Sequence, residues 1–289
     1  MKEIFEKYSQ EILKEPIQQK VAVLANNSHQ YLTTENLKKA FSLIDLTSLN
    51  TEDNCTKIKV MCEKVNVFKN HYSDMPNVAA ICVFPGMVSC VKNTLIVSEV
   101  EIASVGGGFP SSQTFLDIKI EECNKAIQAG ATEIDIVLSV GEFFEGNYEY
   151  CFKEIKDIKS AIGDNHLKVI LETGTLPSHE KIWEASILAM EAGADFIKTS
   201  TGKQSPAATT DAVYVMTKAI KSFYDVTSKK VGIKPAGGIA TPAEALAYFA
   251  IVKENLGDDW LNSKLFRIGA SRLANNLLTE IYQKEVKYF

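Results

Sequence analysis

The sequence predicts an α/β protein that folds as a single (β/α)8 TIM barrel with an N-terminal helical extension, over residues 1–289. Short apolar segments alternate with longer amphipathic ones, and apolar, β-branched strands of this kind are typical of a parallel sheet covered on both faces. Eight such segments occur, which is the number that closes a barrel. The length, with 46% apolar residues, fits one barrel of about 250 residues as well as two average domains.

The extension is predicted over residues 1–38, ahead of a barrel core over residues 40–275. Apolar residues recur in the extension at helical spacing, and they are Ile4, Phe5, Tyr8, Ile12 and Leu13. The eight strands are predicted at Leu43–Leu46, Val78–Val83, Glu101–Val105, Glu133–Val137, Lys168–Leu171, Phe196–Lys198, Val231–Lys234 and Leu265–Ile268.

Two of the helices between these strands have clear ends. One runs over residues 116–129 and is followed by Gly130, and the other runs over residues 179–192 and is followed by Gly193. Glycine after the last turn is typical of a helix C-terminus. An open doubly wound sheet is the alternative architecture. It is less favoured because no Gly-x-Gly-x-x-Gly motif follows the first strand.

Composition argues against several classes of function. The net charge is −5 and there is no basic stripe, so we expect no nucleic acid partner. No apolar stretch approaches the roughly 20 residues that span a bilayer, so we expect no membrane partner. Residues 1–7 carry mixed charge without the apolar segment of a secretory signal. We therefore expect a cytoplasmic protein.

The cysteines and histidines carry no metal-binding signature. None of the six cysteines, at positions 55, 62, 82, 90, 123 and 151, has a partner at Cys-x-x-Cys spacing. Free thiols in a reducing cytosol are the simplest interpretation. The four histidines lie in polar, loop-like contexts. We predict no metal.

Two lysines are the most informative residues, because each ends an apolar strand and precedes a turn that contains glycine. They are Lys198 and Lys234. Burial disfavours the charged form of a lysine, and a second ammonium group nearby disfavours it further, so its pKa should fall. A neutral amine is a nucleophile toward carbonyl groups. The pattern predicts a lysine that forms a Schiff base.

Other polar residues lie in or just after predicted strands, namely Asp45, Cys82, Asp135, Lys168 and Glu172. Each alone has a structural interpretation. Asp45 could cap a turn, Asp135 could anchor a salt bridge, and Cys82 could be a small buried hydrophobe. Lys168 and Glu172 could pair with each other. Strand ends meet at one face of a barrel, however, and charged groups brought together there indicate a site with separated pKa values.

Glycine-bearing loops follow the last three strands. They contain Gly202-Lys203, Gly237-Gly238 and Gly269-Ala270-Ser271. Glycine lets backbone N–H groups approach an anion closely, and barrels commonly bind phosphate with the loops after strands seven and eight. We therefore predict a phosphate site. The run Gly106-Gly107-Gly108 after the third strand could shape the mouth or serve only as a connection.

These motifs resemble the deoxyribose-phosphate aldolase family of class I aldolases, in its longer form. The resemblance covers roughly residues 40–275, in family order. The matching segments are Asp45-Leu46-Thr47-Ser48-Leu49, Ala79-Ala80-Ile81-Cys82-Val83-Phe84-Pro85, Glu133-Ile134-Asp135-Ile136-Val137, Phe196-Ile197-Lys198-Thr199-Ser200-Thr201-Gly202-Lys203, Lys234-Pro235-Ala236-Gly237-Gly238 and Arg267-Ile268-Gly269-Ala270-Ser271.

The resemblance implies reversible cleavage of 2-deoxy-D-ribose 5-phosphate to D-glyceraldehyde 3-phosphate and acetaldehyde, without a metal or organic cofactor. It makes Lys198 the Schiff-base lysine, Lys234 the lysine that perturbs it, and Asp135 the proton-transfer carboxylate. It places Cys82 near the aldehyde site. We predict that the residues that bind the sugar are Asp45, Thr47, Cys82, Lys168 and Thr201. The resemblance implies that the phosphate is bound by Gly202, Lys203, Gly237, Gly238, Gly269 and Ser271.

Two positions depart from the family pattern. Ala240 stands where many members carry arginine, and Arg272 stands where members usually have a small hydroxyl residue. Arg272 could supply the charge that Ala240 lacks. Some members also use a C-terminal tyrosine, and the role of the penultimate Tyr288 stays open.

Three other functions stay open from the sequence. The chain could be a different Schiff-base barrel aldolase, acting in the manner of a transaldolase or on keto sugars. It could be a barrel without activity that binds a phosphorylated ligand, although the set Lys198, Lys234 and Asp135 argues against this. It could be a scaffold for a partner, and residues 1–30 could pack against a second copy in a homodimer.

Overall fold

The computed structural model describes residues 2–289 and contains one sheet of eight parallel strands. The strands are β1 (Ile44–Thr47), β2 (Ala80–Val83), β3 (Glu101–Val105), β4 (Glu133–Val137), β5 (His166–Ile170), β6 (Phe196–Lys198), β7 (Gly232–Lys234) and β8 (Ile268–Ala270). Each strand pairs with its neighbours in the sequence, and β8 pairs with β1. Bridges from Ile233 to Phe266 and from Ala236 to Gly269 join the two remaining edges. The predicted (β/α)8 barrel is confirmed.

Helices cover the outside of the strands. They are α1 (Lys2–Phe5), α2 (Ile17–Asn27), α3 (Thr34–Ser42), α4 (Cys55–Asn66), α5 (Phe68–His71), α6 (Val88–Thr94), α7 (Leu116–Gln128), α8 (Val140–Phe144), α9 (Tyr148–Ile162), α10 (His179–Glu191), α11 (Thr210–Thr227), α12 (Pro242–Leu256) and α13 (Leu273–Tyr282). Short 3-10 helices occur at Glu11–Lys14, Ser28–Tyr31, Pro85–Met87 and Asp258–Trp260. Among residues 2–289, no helix has the combination of length and apolar character needed to traverse a bilayer.

The segment before β1 packs on the outer helices. Helix α2 contacts α11 and α12, and α1 contacts α10. The hydroxyl of Tyr8 donates a hydrogen bond to Glu191 at 2.6 Å, and that of Tyr214 donates to Glu15 at 3.1 Å. These contacts attach the N-terminal helices to the outer helices of the barrel.

Local sequence signals account for the helix boundaries. A side-chain oxygen accepts a hydrogen bond from a backbone N–H of the first turn at Thr33, Asn54, Ser178, Thr209 and Thr241. Such caps satisfy N–H groups that have no partner within the helix. At the other ends of α7 and α10, Gly130 and Gly193 have positive φ values of 112° and 104°. Glycine adopts this backbone conformation without steric cost.

The eighth strand begins three residues later than predicted. Leu265 and Arg267 pair only with β7, through hydrogen bonds to the N–H and C=O of Ile233. Pairing with β1 starts at Ile268. The apolar residues Leu265 and Phe266 therefore precede the strand. The periodicity of the sequence cannot distinguish such a segment from the strand itself.

The expectation of free thiols is wrong for one pair of cysteines. The sulfur atoms of Cys55 and Cys90 lie 2.00 Å apart and form a disulfide. Cys55 is the first residue of α4 and Cys90 lies in α6, and these two helices pack side by side. The disulfide joins two consecutive βα units, and its cysteines are 35 positions apart in the sequence. No short sequence motif predicts a disulfide at that separation. The other four cysteines are free and buried.

Candidate active site

Seven charged side chains fill the interior of the barrel. Each has a relative exposure of 3% or less. The carboxylates are Asp45 on β1 and Glu133 and Asp135 on β4, and the cations are Lys168 on β5, Lys198 on β6, Lys234 on β7 and Arg267 just before β8. Residues two apart in a strand face the same side, so β4 directs both of its carboxylates inward.

Asp135 lies at the centre of the upper part of this group. Its Oδ2 accepts hydrogen bonds from Nζ of Lys198 at 2.7 Å and from Nζ of Lys234 at 2.8 Å. Its Oδ1 accepts one from Nζ of Lys168 at 3.1 Å. Burial alone would raise the pKa of the Asp135 carboxyl, but the three amines outweigh burial and hold it well below its ordinary range. The structure thus brings together the three residues predicted as catalytic.

The two predicted catalytic lysines have opposite pKa shifts. Burial is the largest cause that lowers the pKa of Lys198; the charge of Lys234 lowers it further, and Asp135 opposes the change. Burial also acts against the charge of Lys234, but Asp135 and Asp45 outweigh it and raise the pKa of that lysine. Burial therefore lowers the pKa of Lys198 more than the charge of Lys234 does.

Glu133 and Arg267 form a lower layer that the sequence analysis missed. Arg267 donates to Oδ1 of Asp45 at 2.7 Å and to Oε1 of Glu133 at 2.8 Å. Glu133 also accepts a hydrogen bond from Lys168 at 2.6 Å. The one available signal was a charged residue inside an apolar strand, because such a charge needs a buried partner.

The alternative pairing of Lys168 with Glu172 is wrong. Glu172 instead accepts hydrogen bonds from the N–H of Thr201 at 3.1 Å and from its hydroxyl at 2.6 Å. The Thr201 hydroxyl in turn accepts from the N–H of Lys203 at 3.0 Å. Glu172 is buried and has a φ of 54°, which is strained for a residue with a side chain. It holds the loop that follows β6.

A cavity of about 520 Å³ lies above the charged cluster, at the C-terminal ends of the strands. Lys198 is the only cluster residue that lines it. Eight other predicted site residues also line it, namely Thr47, Thr201, Gly202, Lys203, Gly237, Gly238, Gly269 and Ser271. Asp45, Cys82, Asp135, Lys168 and Lys234 lie beneath this lining, in the buried interior.

Glycine is required where the loops approach the cavity. Gly202, Gly237 and Gly238 have φ values of 74°, 93° and 80°, in the left-handed region that side chains rarely adopt. A Cβ on Gly237 would lie 2.7 Å from the Cβ of Ala207. No side chain covers the backbone of these glycines beside the cavity, so their N–H groups can approach an anion closely.

The ionisable side chains of Lys, Arg, Asp and Glu that line the cavity all belong to basic residues. They are Lys57, Lys64, Lys198, Lys203 and Arg272, and no Asp or Glu side chain of the described residues joins them. Arg272 immediately precedes α13, whereas Ala240 does not line the cavity. Lys57 and Lys64 on α4 were not predicted, because exposed lysines on a helix usually indicate only a solvated face.

Cys82 belongs to a small apolar wall inside the barrel. It is fully buried on β2 and packs in one cluster with Leu49, Ala80, Ala103 and Val105. Burial raises the pKa of its thiol. A thiol held in the neutral form is a poor nucleophile, so its placement supports a packing role beside the lysines.

The C-terminal residues pack next to the cavity. The hydroxyl of Tyr288 donates to the backbone carbonyl of Lys64 at 2.8 Å, and its ring packs on Phe68. Oδ1 of Asn275 accepts hydrogen bonds from the N–H groups of Tyr288 and Phe289, both at 2.9 Å. Phe289 lines the cavity and Tyr288 does not.

Comparisons with known proteins identify the family and agree with the fold. Residues 39–257 match the model of the DeoC/LacD family of aldolases. The chain is 41% identical to the human deoxyribose-phosphate aldolase and 42% identical to the mouse one, in each case over 256 residues that cover 85% of this chain and 80% of the relative. The tetrameric deoxyribose phosphate aldolase of Aeropyrum pernix has the same fold, with a TM-score of 0.66 at 22% identity, over 89% of this chain and 96% of that one.

Proposed function

This chain belongs to the DeoC/LacD family of aldolases and is an aldolase, and from that premise we propose that it reversibly cleaves 2-deoxy-D-ribose 5-phosphate to D-glyceraldehyde 3-phosphate and acetaldehyde through a Schiff base on Lys198. One observation carries the proposal. Of the three lysines in the buried cluster, Lys198 alone reaches the cavity, and it alone has a lowered pKa. It is the amine best suited to attack a bound aldehyde.

The reaction begins when neutral Lys198 attacks C1 of the open-chain sugar. The hydroxyl group of the carbinolamine takes up a proton and leaves as water, which gives a protonated imine. When the C2–C3 bond breaks, its electron pair moves into the iminium group and forms an enamine. The imine therefore avoids a free carbanion at C2.

Asp135 is the proposed proton-transfer group. Its carboxylate is held ionised and lies 2.7 Å from Nζ of Lys198, so it can accept a proton beside the reacting carbon chain. It would take the C3 hydroxyl proton, directly or through water, as D-glyceraldehyde 3-phosphate forms. Protonation of the enamine at C2 and hydrolysis of the imine then release acetaldehyde and free Lys198.

The phosphate group would lie against the glycine loops. Three of them, at Gly202, Gly237-Gly238 and Gly269, border the same cavity as Lys203 and Arg272. Backbone N–H groups and cations are the partners that a phosphate dianion prefers. We propose that Arg272 supplies charge at this end of the cavity and that Ala240 supplies none.

The assignment of the nucleophile is tested by trapping. Borohydride reduction in the presence of acetaldehyde should attach a two-carbon group to Lys198, detectable by peptide mass spectrometry. Lys203→Met is the matched control, since it removes a cavity lysine and should leave the adduct in place. Adduct on a lysine other than Lys198 would overturn the assignment.

The substrate and the absence of a metal requirement are tested together. Cleavage of 2-deoxyribose 5-phosphate, measured through both aldehyde products, should continue in the presence of a chelator. A preference for a ketose phosphate would favour a different Schiff-base aldolase, and binding without turnover would favour an inactive phosphate-binding barrel.

A further inference from the structure

The buried cluster holds one more basic group than it holds carboxylates. Its acids are Asp45, Glu133 and Asp135, whereas its bases are three lysines and Arg267. Isolated charge is costly in a protein interior, so the cluster is most stable when its net charge is zero. Arginine does not give up its proton in proteins. Neutrality therefore requires one of the lysines to be uncharged.

The contacts indicate which lysine is uncharged. Lys168 lies 2.6 Å from Glu133 and 3.1 Å from Asp135. Lys234 lies 2.5 Å from Asp45 and 2.8 Å from Asp135. Lys198 has a single carboxylate partner, Asp135, and shares it with both other lysines. Lys198 is therefore the lysine with the least compensation for a positive charge.

We propose that Arg267 is a positioning residue that acts from the far end of the barrel, its permanent charge occupying Asp45 and Glu133 so that Lys198 is left as the neutral amine. This inference rests on the proposed role of Lys198 as the Schiff-base lysine. Arg267 touches neither Lys198 nor the cavity. It acts through Asp45, whose second carboxylate oxygen forms an ion pair with Lys234, which in turn contacts Asp135.

Three titratable groups act directly on Lys198 in the described part of the chain. They are Cys82 on β2, Asp135 on β4 and Lys234 on β7. Lys168 on β5 and Asp45 on β1 lie one step further away, paired with Asp135 and Lys234. Beneath them, Nδ1 of His166 lies 3.3 Å from Glu133, on a half-exposed ring at the start of β5. The pKa directions agree with the charge count: among the four bases, Lys198 alone is shifted downward.

The test changes the charge balance without touching the residues beside the substrate. Arg267→Met removes a positive charge, Glu133→Gln removes a negative charge, and the double variant removes both. Arg267→Lys keeps the charge and loses the forked geometry. For each protein, the rate of borohydride-trapped acetaldehyde adduct on Lys198 is measured as a function of pH, and circular dichroism checks folding. This assay requires no phosphorylated substrate.

The expected shifts have opposite signs. Arg267→Met should move the acid limb of the profile upward by about one pH unit, as Coulomb's law gives for a unit charge about 10 Å away at an effective dielectric near 20. Glu133→Gln should move the limb downward. The double variant should restore the original midpoint, and Arg267→Lys should keep it.

The outcomes separate this inference from the proposed function. An unchanged midpoint in folded Arg267→Met, or midpoint shifts of the same sign in the two single variants, would overturn the charge-balance role. If Arg267→Met does not fold, the midpoints of Glu133→Gln, Arg267→Lys and the double variant decide the question by the same criteria. Failure of the wild-type protein to form any adduct on Lys198 would instead refute the proposed function.

Discussion

Replacing Lys234 with methionine should leave a folded protein whose activity requires a higher pH. The substitution removes one positive charge and keeps a side chain of similar length. Asp45 keeps its contact with Arg267, and Asp135 keeps its contacts with Lys168 and Lys198. The remaining three bases then match three carboxylates, so Lys198 becomes protonated at neutral pH.

The magnitude follows from the shared carboxylate oxygen. Lys198 and Lys234 lie 2.7 and 2.8 Å from Oδ2 of Asp135, so their nitrogens are separated by about 5.5 Å at most. At an effective dielectric near 20, repulsion at about 5.5 Å is about 3 kcal/mol, or about two pKa units. The fraction of neutral Lys198 below its pKa should therefore fall about 100-fold.

The assay is the pH profile of kcat/KM for cleavage of 2-deoxyribose 5-phosphate. The acid limb of Lys234→Met should move upward by about two pH units, with most of the lost rate recovered at high pH. The control is Lys203→Met, which should raise KM and leave the limb in place. A Lys234→Met limb at the wild-type pH, in a folded protein, would refute the electrostatic role of Lys234.

Three further predictions concern the cavity and the cluster. Glu172→Ala should raise KM for the phosphorylated sugar about tenfold, with little change in KM for unphosphorylated 2-deoxyribose. The reason is that Thr201 loses the carboxylate to which it donates two hydrogen bonds, so the loop that carries Lys203 is no longer held in place. Glu172→Gln should recover most of this, and equal losses on both sugars would contradict the reasoning. Arg272→Ser should raise KM for the phosphorylated sugar about three- to fivefold, a small effect because the side chain is exposed, with the exposed Lys59→Met as a neutral control. The carboxyl groups of Asp45, Glu133 and Asp135 have lowered pKa values, so the stability that they give the folded protein is present above their ordinary pKa near 4 and is lost as pH falls. The free energy of unfolding, measured with urea, should therefore be constant from pH 7 to about 5 and fall below about pH 4. A free energy of unfolding that stays constant below that pH would contradict this reasoning.

The strands and helices could largely be predicted from the sequence, because buried parallel strands and amphipathic helices differ in periodicity. The start of β8 could not, since Leu265–Phe266 is as apolar as a strand but pairs on one side only. The disulfide between Cys55 and Cys90 could not either, because it depends on two helices that meet only in the folded barrel.

The residues of the candidate site that could be predicted are those whose type is rare at their position in a strand. Lys198 and Lys234 were recognisable because a lysine at the end of an apolar strand needs an explanation. Glu133 was missed because it is the first residue of its strand, where polar residues are ordinary, and Arg267 was missed although it interrupts the apolar segment Leu265–Ile268. Lys64 was missed because only the tertiary fold turns that face of α4 toward the cavity.

The charged residues inside the barrel and the apolar residues outside the strands have different effects on the protein. At the level of the lysines, the barrel axis holds ions instead of interlocking hydrocarbon side chains, so cohesion there depends on matched charges. The apolar packing that resists unfolding lies mainly between strands and outer helices, around residues such as Trp183, Phe41 and Phe143. Substitutions intended to raise heat resistance should therefore be made at that outer contact, which lies apart from Lys198, the proposed nucleophile.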